Sequence, residues 1–284
     1  MKKYSLAKLL LEAEKKGYAV PAINVFNYES IKWAMEAANE EHMPIILQYV
    51  PKFEKYISAN EVASIISHIK KEIRVPVLFH LDHAHTKDEV EHNIKNFDSV
   101  MIDGSGKSYE ENVMLTTKIV EFSHKYNVEV EAEMGLIGST QNESDYLDNT
   151  KYTDPDEAIK FIDATECDCF AMAIGNAHGI YKECPKLDFS RLAEIRRRVN
   201  IPLVLHGGSG LNETQLAEAI ENGISKVNIF TDYNKAFYNN VKQQMYKTEK
   251  GFFLGSLRRA REEVTMTLRE KIRLLNPNHI DTSY

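Results

Sequence analysis

The chain has 284 residues, 43% hydrophobic and 27% charged, enough for one large core, and is read as one domain over 1–284. Its net charge is −7 with lysines and arginines scattered rather than massed, which argues against a nucleic-acid surface and requires any anionic substrate to be held by local geometry. The opening stretch KKYSLAKLLLEAEKKG is amphipathic, with no long apolar run and no small-residue cleavage site; neither signal peptide nor membrane span is expected, and the protein is expected in the cytoplasm.

Candidate strands run Tyr18 to Asn24, Pro44 to Gln48, Val75 to Leu81, Ser99 to Ile102, Val128 to Met134, Cys169 to Ile174, Pro202 to His206 and Lys226 to Ile229. Between them stand charged amphipathic stretches such as ESIKWAMEAANEEH, SYEENVMLTTKIVEFSHKY and SRLAEIRRRVN, whose apolar positions recur at helical spacing. Near-continuous apolar strands alternating with helices predict parallel strands buried on both faces, closed as an α/β fold of the (β/α)8 TIM-barrel type. A doubly wound open sheet is the alternative. Beyond the eighth strand, TDYNKAFYNNVKQQMY and SLRRAREEVTMTLREKIRLL predict two extra C-terminal helices, the last packing on the barrel or on a neighbouring subunit. Cys167, Cys169 and Cys184 are too few for a disulfide framework and are expected as buried structural thiols.

In such a barrel, chemistry sits at the carboxyl ends of the strands, and the polar residues sort accordingly. Asp82 and His83 follow the third strand, Asp103 ends the fourth, and Glu131 and Glu133 end the fifth; His178 follows the sixth, His206 ends the seventh, and Asn228 lies in the eighth. A lone histidine in an apolar run is more often a satisfied core residue. Three at equivalent strand ends, with carboxylates on the strands between, point instead to a metal centre with an open position, for which zinc is the ion best suited to imidazoles. Alternation turns His80 away from the side of His83, and both His80 and His85 are expected in supporting roles.

A phosphate site is expected separately. His206 leads into Gly207, Gly208, Ser209 and Gly210, and His178 into Gly179; such glycines admit an anion close to backbone N–H groups. HGGSG alone fits a plain tight turn. Its position after the seventh strand, beside VNIFTD with Asn228 and Thr231 after the eighth, is where barrels commonly hold phosphate.

Seven motifs, YAVPAINVFNYES, HLDH, SVMIDGS, EAEMG, AIGNAHGIY, LVLHGGSG and KVNIFTD, occur in an order that resembles the class II, zinc-dependent ketose-bisphosphate aldolases, which act on fructose or tagatose 1,6-bisphosphate. The resemblance covers most of the chain and implies reversible cleavage of a ketose 1,6-bisphosphate to dihydroxyacetone phosphate and an aldehyde. It implies Zn2+ on His83, His178 and His206, with Asp82 as catalytic acid and base. Asp103 and Glu133 match carboxylates that hold or orient a second, displaced metal. Gly179, Gly207, Ser209, Asn228 and Thr231 match the cradle for the phosphate on the dihydroxyacetone half, beside a monovalent cation, Na+ or K+. A homodimer or homotetramer is implied, with sugar phosphate as the small-molecule partner and neither nucleic acid nor membrane.

The departures concern substrate. Val50 replaces a hydroxyl residue, Phe230 stands where relatives carry Asp or a small residue, Asn176 replaces a Thr, and Gly106 replaces a His. The lid reads GSTQNESDYLDN, with Glu143 and Asp145 as candidate proton carriers. An Asp-Pro-Arg that serves the distal phosphate in relatives appears as EKGFF, with Gly251 near the arginine position and Lys52, Arg258 or Arg259 as replacements. A ketose 1-phosphate without a distal phosphate is therefore the alternative substrate. A subunit that needs a partner for activity and a barrel metallohydrolase are the other readings.

Overall fold

Strands β1 (Val20–Asn24), β2 (Ile45–Tyr49), β3 (Val77–Ala84), β4 (Ser99–Ile102), β5 (Glu129–Met134), β6 (Cys169–Met172), β7 (Leu203–Leu205) and β8 (Ile224–Ile229) pair in parallel in sequence order, and β8 closes on β1. This computed structural model describes residues 4–142, 144–247 and 252–282. The helices are α1 (Leu6–Lys16), α2 (Tyr28–Glu40), α3 (Ala59–Ile69), α4 (Lys87–Asn93), α5 (Tyr109–His124), α6 (Ser144–Leu147), α7 (Pro155–Thr165), α8 (Phe189–Arg196), α9 (Glu213–Glu221), α10 (Thr231–Lys247) and α11 (Phe253–Leu274). One follows nearly every strand, and α10 and α11 are the two expected C-terminal helices. The (β/α)8 TIM barrel is thus the fold, and the strands read as apolar runs because both their faces are covered.

Capping boxes fix where the outer helices begin. Asn27 with Ser30, Ser58 with Glu61, Thr86 with Glu89, Ser108 with Glu111 and Asn212 with Gln215 each satisfy the first free N–H groups of a helix. These caps anchor the helix starts after β1, β2, β3, β4 and β7, at the carboxyl rim of the barrel.

Two carboxyl ends of strands differ from expectation by more than one residue. The sixth strand stops at Met172 rather than Ile174, because Ala173 N–H donates to Thr153 Oγ1 and Ile174 N–H to the Asn176 side chain, removing both from the ladder. The third continues past Leu81 to Ala84, with an extra residue inserted: Leu81 pairs with Val100, but Ala84 pairs with Ile102. His83 sits in this bulge with φ of 50°, a left-handed conformation unusual for a residue other than glycine.

The cysteine expectation holds for Cys167 and Cys169, which are buried, and needs correction for Cys184, which is exposed. Cys184 falls in the loop between β6 and α8, where the thiol contacts Asn212 and Gln215 rather than core side chains.

Candidate active site

A cavity of about 900 Å³ opens at the carboxyl ends of the strands. Asp82, His83, Asp103, His178, Gly179, Gly207, Ser209, Asn228 and Thr231 line it, while His206 and Glu133 lie buried directly behind. His83, His178 and His206 bring ligand-capable atoms within 4.8 Å of one another, and His83, Asp103 and Glu133 form a second such group. Nε2 of His83 stands 3.1 Å from Nδ1 of His206, while Nδ1 of His83 is turned to Asp103 Oδ2 at 3.0 Å.

The β3 bulge explains how consecutive residues serve one site. Strict alternation would send His83 to the outer face when Asp82 points inward. The extra residue and the left-handed backbone return the His83 ring to the same cavity. The expectation that His80 turns away from the side of His83 needs correction for the same reason: with the bulge returning His83 inward, His80 also lies inside the barrel, where its Nδ1 meets Ser99 Oγ at 2.8 Å. His85 is largely exposed and reaches the Asp103 carbonyl at 3.3 Å.

Charge around the histidines is uneven. Burial and the neighbouring His83 push His178 down to about 4, and the same two causes hold His206 well below the usual imidazole range. Both are neutral near neutral pH, with a lone pair to offer. Burial also opposes charge on His83, but Asp82, the Asp103 hydrogen bond and Glu133 outweigh it and raise His83 to about 10. The carboxylates thus favour positive charge at the centre of the cluster. Glu133, raised by burial and by Asp103, keeps one buried oxygen without a hydrogen-bond partner, 3.7 Å from His206 Nδ1. Three close imidazole nitrogens, surrounding carboxylates and an unpartnered buried oxygen make a donor set that fits a divalent metal.

The glycine loops close the other side. Gly207 has φ of 68°, and a Cβ there would stand 2.2 Å from the Ala177 carbonyl oxygen; only glycine lets the loop after His206 pass the loop before His178. Tyr181 ties the same loops, with its hydroxyl bonded to Ala177 N–H and to the carbonyls of Ala177 and Gly207. His178 is anchored through its backbone to Gly138 and Thr140 at 2.8 and 2.9 Å. Thr231 starts α10, and the Asp232 N–H donates to Ser209 Oγ at 3.2 Å, so the positive end of a long helix meets the HGGSG turn.

With this geometry in place, likeness to known proteins becomes specific. A family model described as fructose-bisphosphate aldolase class-II matches residues 4–279. The chain belongs to the class II fructose-bisphosphate aldolase family. Among solved structures, the YdjI aldolase of Escherichia coli K12 is similar at 32% identity, covering 94% of this chain and 95% of that one, with a TM-score of 0.83. The fructose-bisphosphate aldolase of Campylobacter jejuni is similar at 25% identity over 97% of this chain and 94% of that one, also with a TM-score of 0.83. This aldolase is accordingly a lyase of a metal-dependent family.

Two residues of this aldolase's site went unassigned in the sequence. Asn24 ends β1, Gln48 is the penultimate residue of β2, and they donate to Asp82 at 2.8 and 2.9 Å, joined by Asn228 at 3.3 Å. The signal was present, since both are lone polar residues near the carboxyl ends of apolar runs. The bulky departures also line the cavity: Val50 and Phe230 form part of its wall, with Phe230 6.5 Å from Phe53 between ring centres. Lys52 lines it as well, whereas Arg258 and Arg259 are exposed on α11 and do not. Glu143, the side chain of Asp145, and Gly251 lie outside the described residues.

Proposed function

We propose that this aldolase cleaves a ketose phosphate reversibly to dihydroxyacetone phosphate and an aldehyde, with zinc held by His83, His178 and His206. The convergence of three imidazole nitrogens within 4.8 Å carries this reading. Asp103 and Glu133 would hold the ion in a displaced position or orient its ligands. The metal, when bound, supplies a Lewis acid for the negative charge that develops as the carbon–carbon bond breaks. Asp82, held by its amide donors, accepts the proton of the C4 hydroxyl in cleavage and returns it in condensation. Gly179, Gly207, Ser209, Asn228 and Thr231 cradle the phosphate of the dihydroxyacetone half, beside a monovalent cation held by backbone carbonyls of the same loops. The active form is a homodimer or homotetramer.

Among the described residues that line the cavity, Lys52 is the only lysine or arginine, and it faces a wall that also carries Asp88 and Glu89. That balance favours a ketose 1-phosphate over a 1,6-bisphosphate, because a second dianion would meet one cation and two carboxylates. Exhaustive chelation should abolish cleavage and zinc should restore it. Borohydride added with substrate should trap no adduct, although Lys52 reaches the cavity. Activity that survives chelation, or a trapped lysine adduct, would overturn the metal route.

A further inference from the structure

Beneath the histidine cluster, in contact with His206, lie buried polar side chains that the reaction steps leave unused. Glu131 on β5, Lys226 on β8, His80 on β3 and His206 from the end of β7 are each 0% exposed. Lys226 Nζ donates to Glu131 Oε2 at 2.6 Å, and the other oxygen, Oε1, lies 2.8 Å from His206 Nε2. His80 turns its Nε2 to within 3.6 Å of Glu131 Oε2. Glu131, Lys226 and His80 are absent from the cavity wall. Apolar side chains of similar volume commonly replace a buried ion pair at no loss of stability, so packing gives no reason for the pair.

We propose that Glu131 is a positioning residue for the metal site, its carboxylate fixing the proton of His206 on Nε2 so that the bare Nδ1 faces the ion. This rests on reading His83, His178 and His206 as the metal's ligands. Lys226 has only donors, so Glu131 Oε2 is the acceptor of their 2.6 Å contact and Oε1 is left to face His206. An acceptor 2.8 Å from a ring nitrogen obliges that nitrogen to carry hydrogen, which in a neutral imidazole leaves the other one free. Asn228 Nδ2 also approaches Nε2, at 3.2 Å, but that contact is longer, and the same amide donates to Asp82 Oδ1 at 3.3 Å. Nδ1 is the atom that faces the cluster, 3.1 Å from His83 Nε2. A carboxylate behind a histidine also raises its basicity as a ligand.

The test is metal binding, measured apart from turnover. Metal-stripped protein is titrated with zinc against a chromophoric chelator and with Co2+ while the visible spectrum is recorded. Glu131→Gln supplies an amide N–H that permits the wrong tautomer of His206. It should weaken zinc binding about 10–100-fold and shift the Co2+ bands. Where the single variant folds poorly, the double variant Glu131→Gln with Lys226→Met leaves no unpaired buried charge and should show the same loss while melting cooperatively. A folded variant with wild-type affinity and an unchanged Co2+ spectrum, its defect confined to melting temperature, would overturn the proposal and make the pair structural. Wild-type protein that binds neither ion would overturn the reading of the site itself, and this inference with it.

Discussion

Asp82 receives hydrogen bonds from Asn24, Gln48 and Asn228, which come from three different strands. Its position is therefore set by the barrel rather than by its own loop, as a general base requires. It stands 4.0 Å from His83 Nε2, close to the histidine cluster without being one of its three imidazoles. Asp82→Asn should retain metal and fold but lose about 10²–10⁴-fold in cleavage, because the amide cannot carry the C4 proton. Metal analysis beside steady-state kinetics checks both halves; near-wild-type turnover would move the role to Glu133 or to a lid carboxylate.

Helix α11 shows how an outer element is fastened. Its basic face meets the acidic end of α2 and the residue just beyond: Arg261 pairs with Glu36 at 3.0 Å, Arg269 with Glu40 at 2.7 Å, and Arg269 and Arg273 with Glu41 at 2.5 and 2.8 Å. Burial acts to raise the Glu41 pKa, but hydrogen bonds from Arg273 and Arg269 prevail and hold it below the ordinary glutamate range. A carboxyl depressed in the folded state stabilises above its unfolded pKa and loses that contribution as pH falls through the folded one. Glu41→Gln should thus cost roughly 1 kcal/mol near neutral pH, the upper range for partly exposed pairs. The difference from wild type should shrink below about pH 4.5. Thermal melts of both proteins from pH 3 to 8 read this directly; a pH-independent difference would show that the latch is not electrostatic.

The charge of the whole molecule, −7, offers no general attraction to an anionic substrate. Recognition of each end must come from the cavity, whose two ends differ. The HGGSG turn and the start of α10 present backbone N–H groups to one phosphate, whereas the outer wall offers Lys52 against Asp88 and Glu89. Loss of charge-assisted bonds worth roughly 1.5–3 kcal/mol each removes at least about tenfold in affinity for a distal phosphate. In the condensation direction, kcat/KM for unphosphorylated aldehydes should therefore match or exceed that for glyceraldehyde 3-phosphate, while dihydroxyacetone should not replace dihydroxyacetone phosphate. A strong preference for the phosphorylated aldehyde would return the enzyme to bisphosphate substrates.

By itself the sequence determined eight parallel strands alternating with amphipathic helices, since near-continuous apolar runs need cover on both faces; that β8 closes on β1, rather than leaving a doubly wound open sheet, only the tertiary structure decided. It also determined which rim would carry the polar residues, because parallel strands deliver all their carboxyl ends to one side. Tertiary structure decided what no spacing encodes. The bulge that brings His83 beside Asp82 comes from the register between β3 and β4. Lys226, expected to open the last strand, lies at the third residue of β8, paired with Glu131 beneath His206. The sequence put Glu131 at the end of the fifth strand but could not name its partners, because contacts across a closed barrel join residues 75 and 95 positions apart and depend on the stagger of every strand between them.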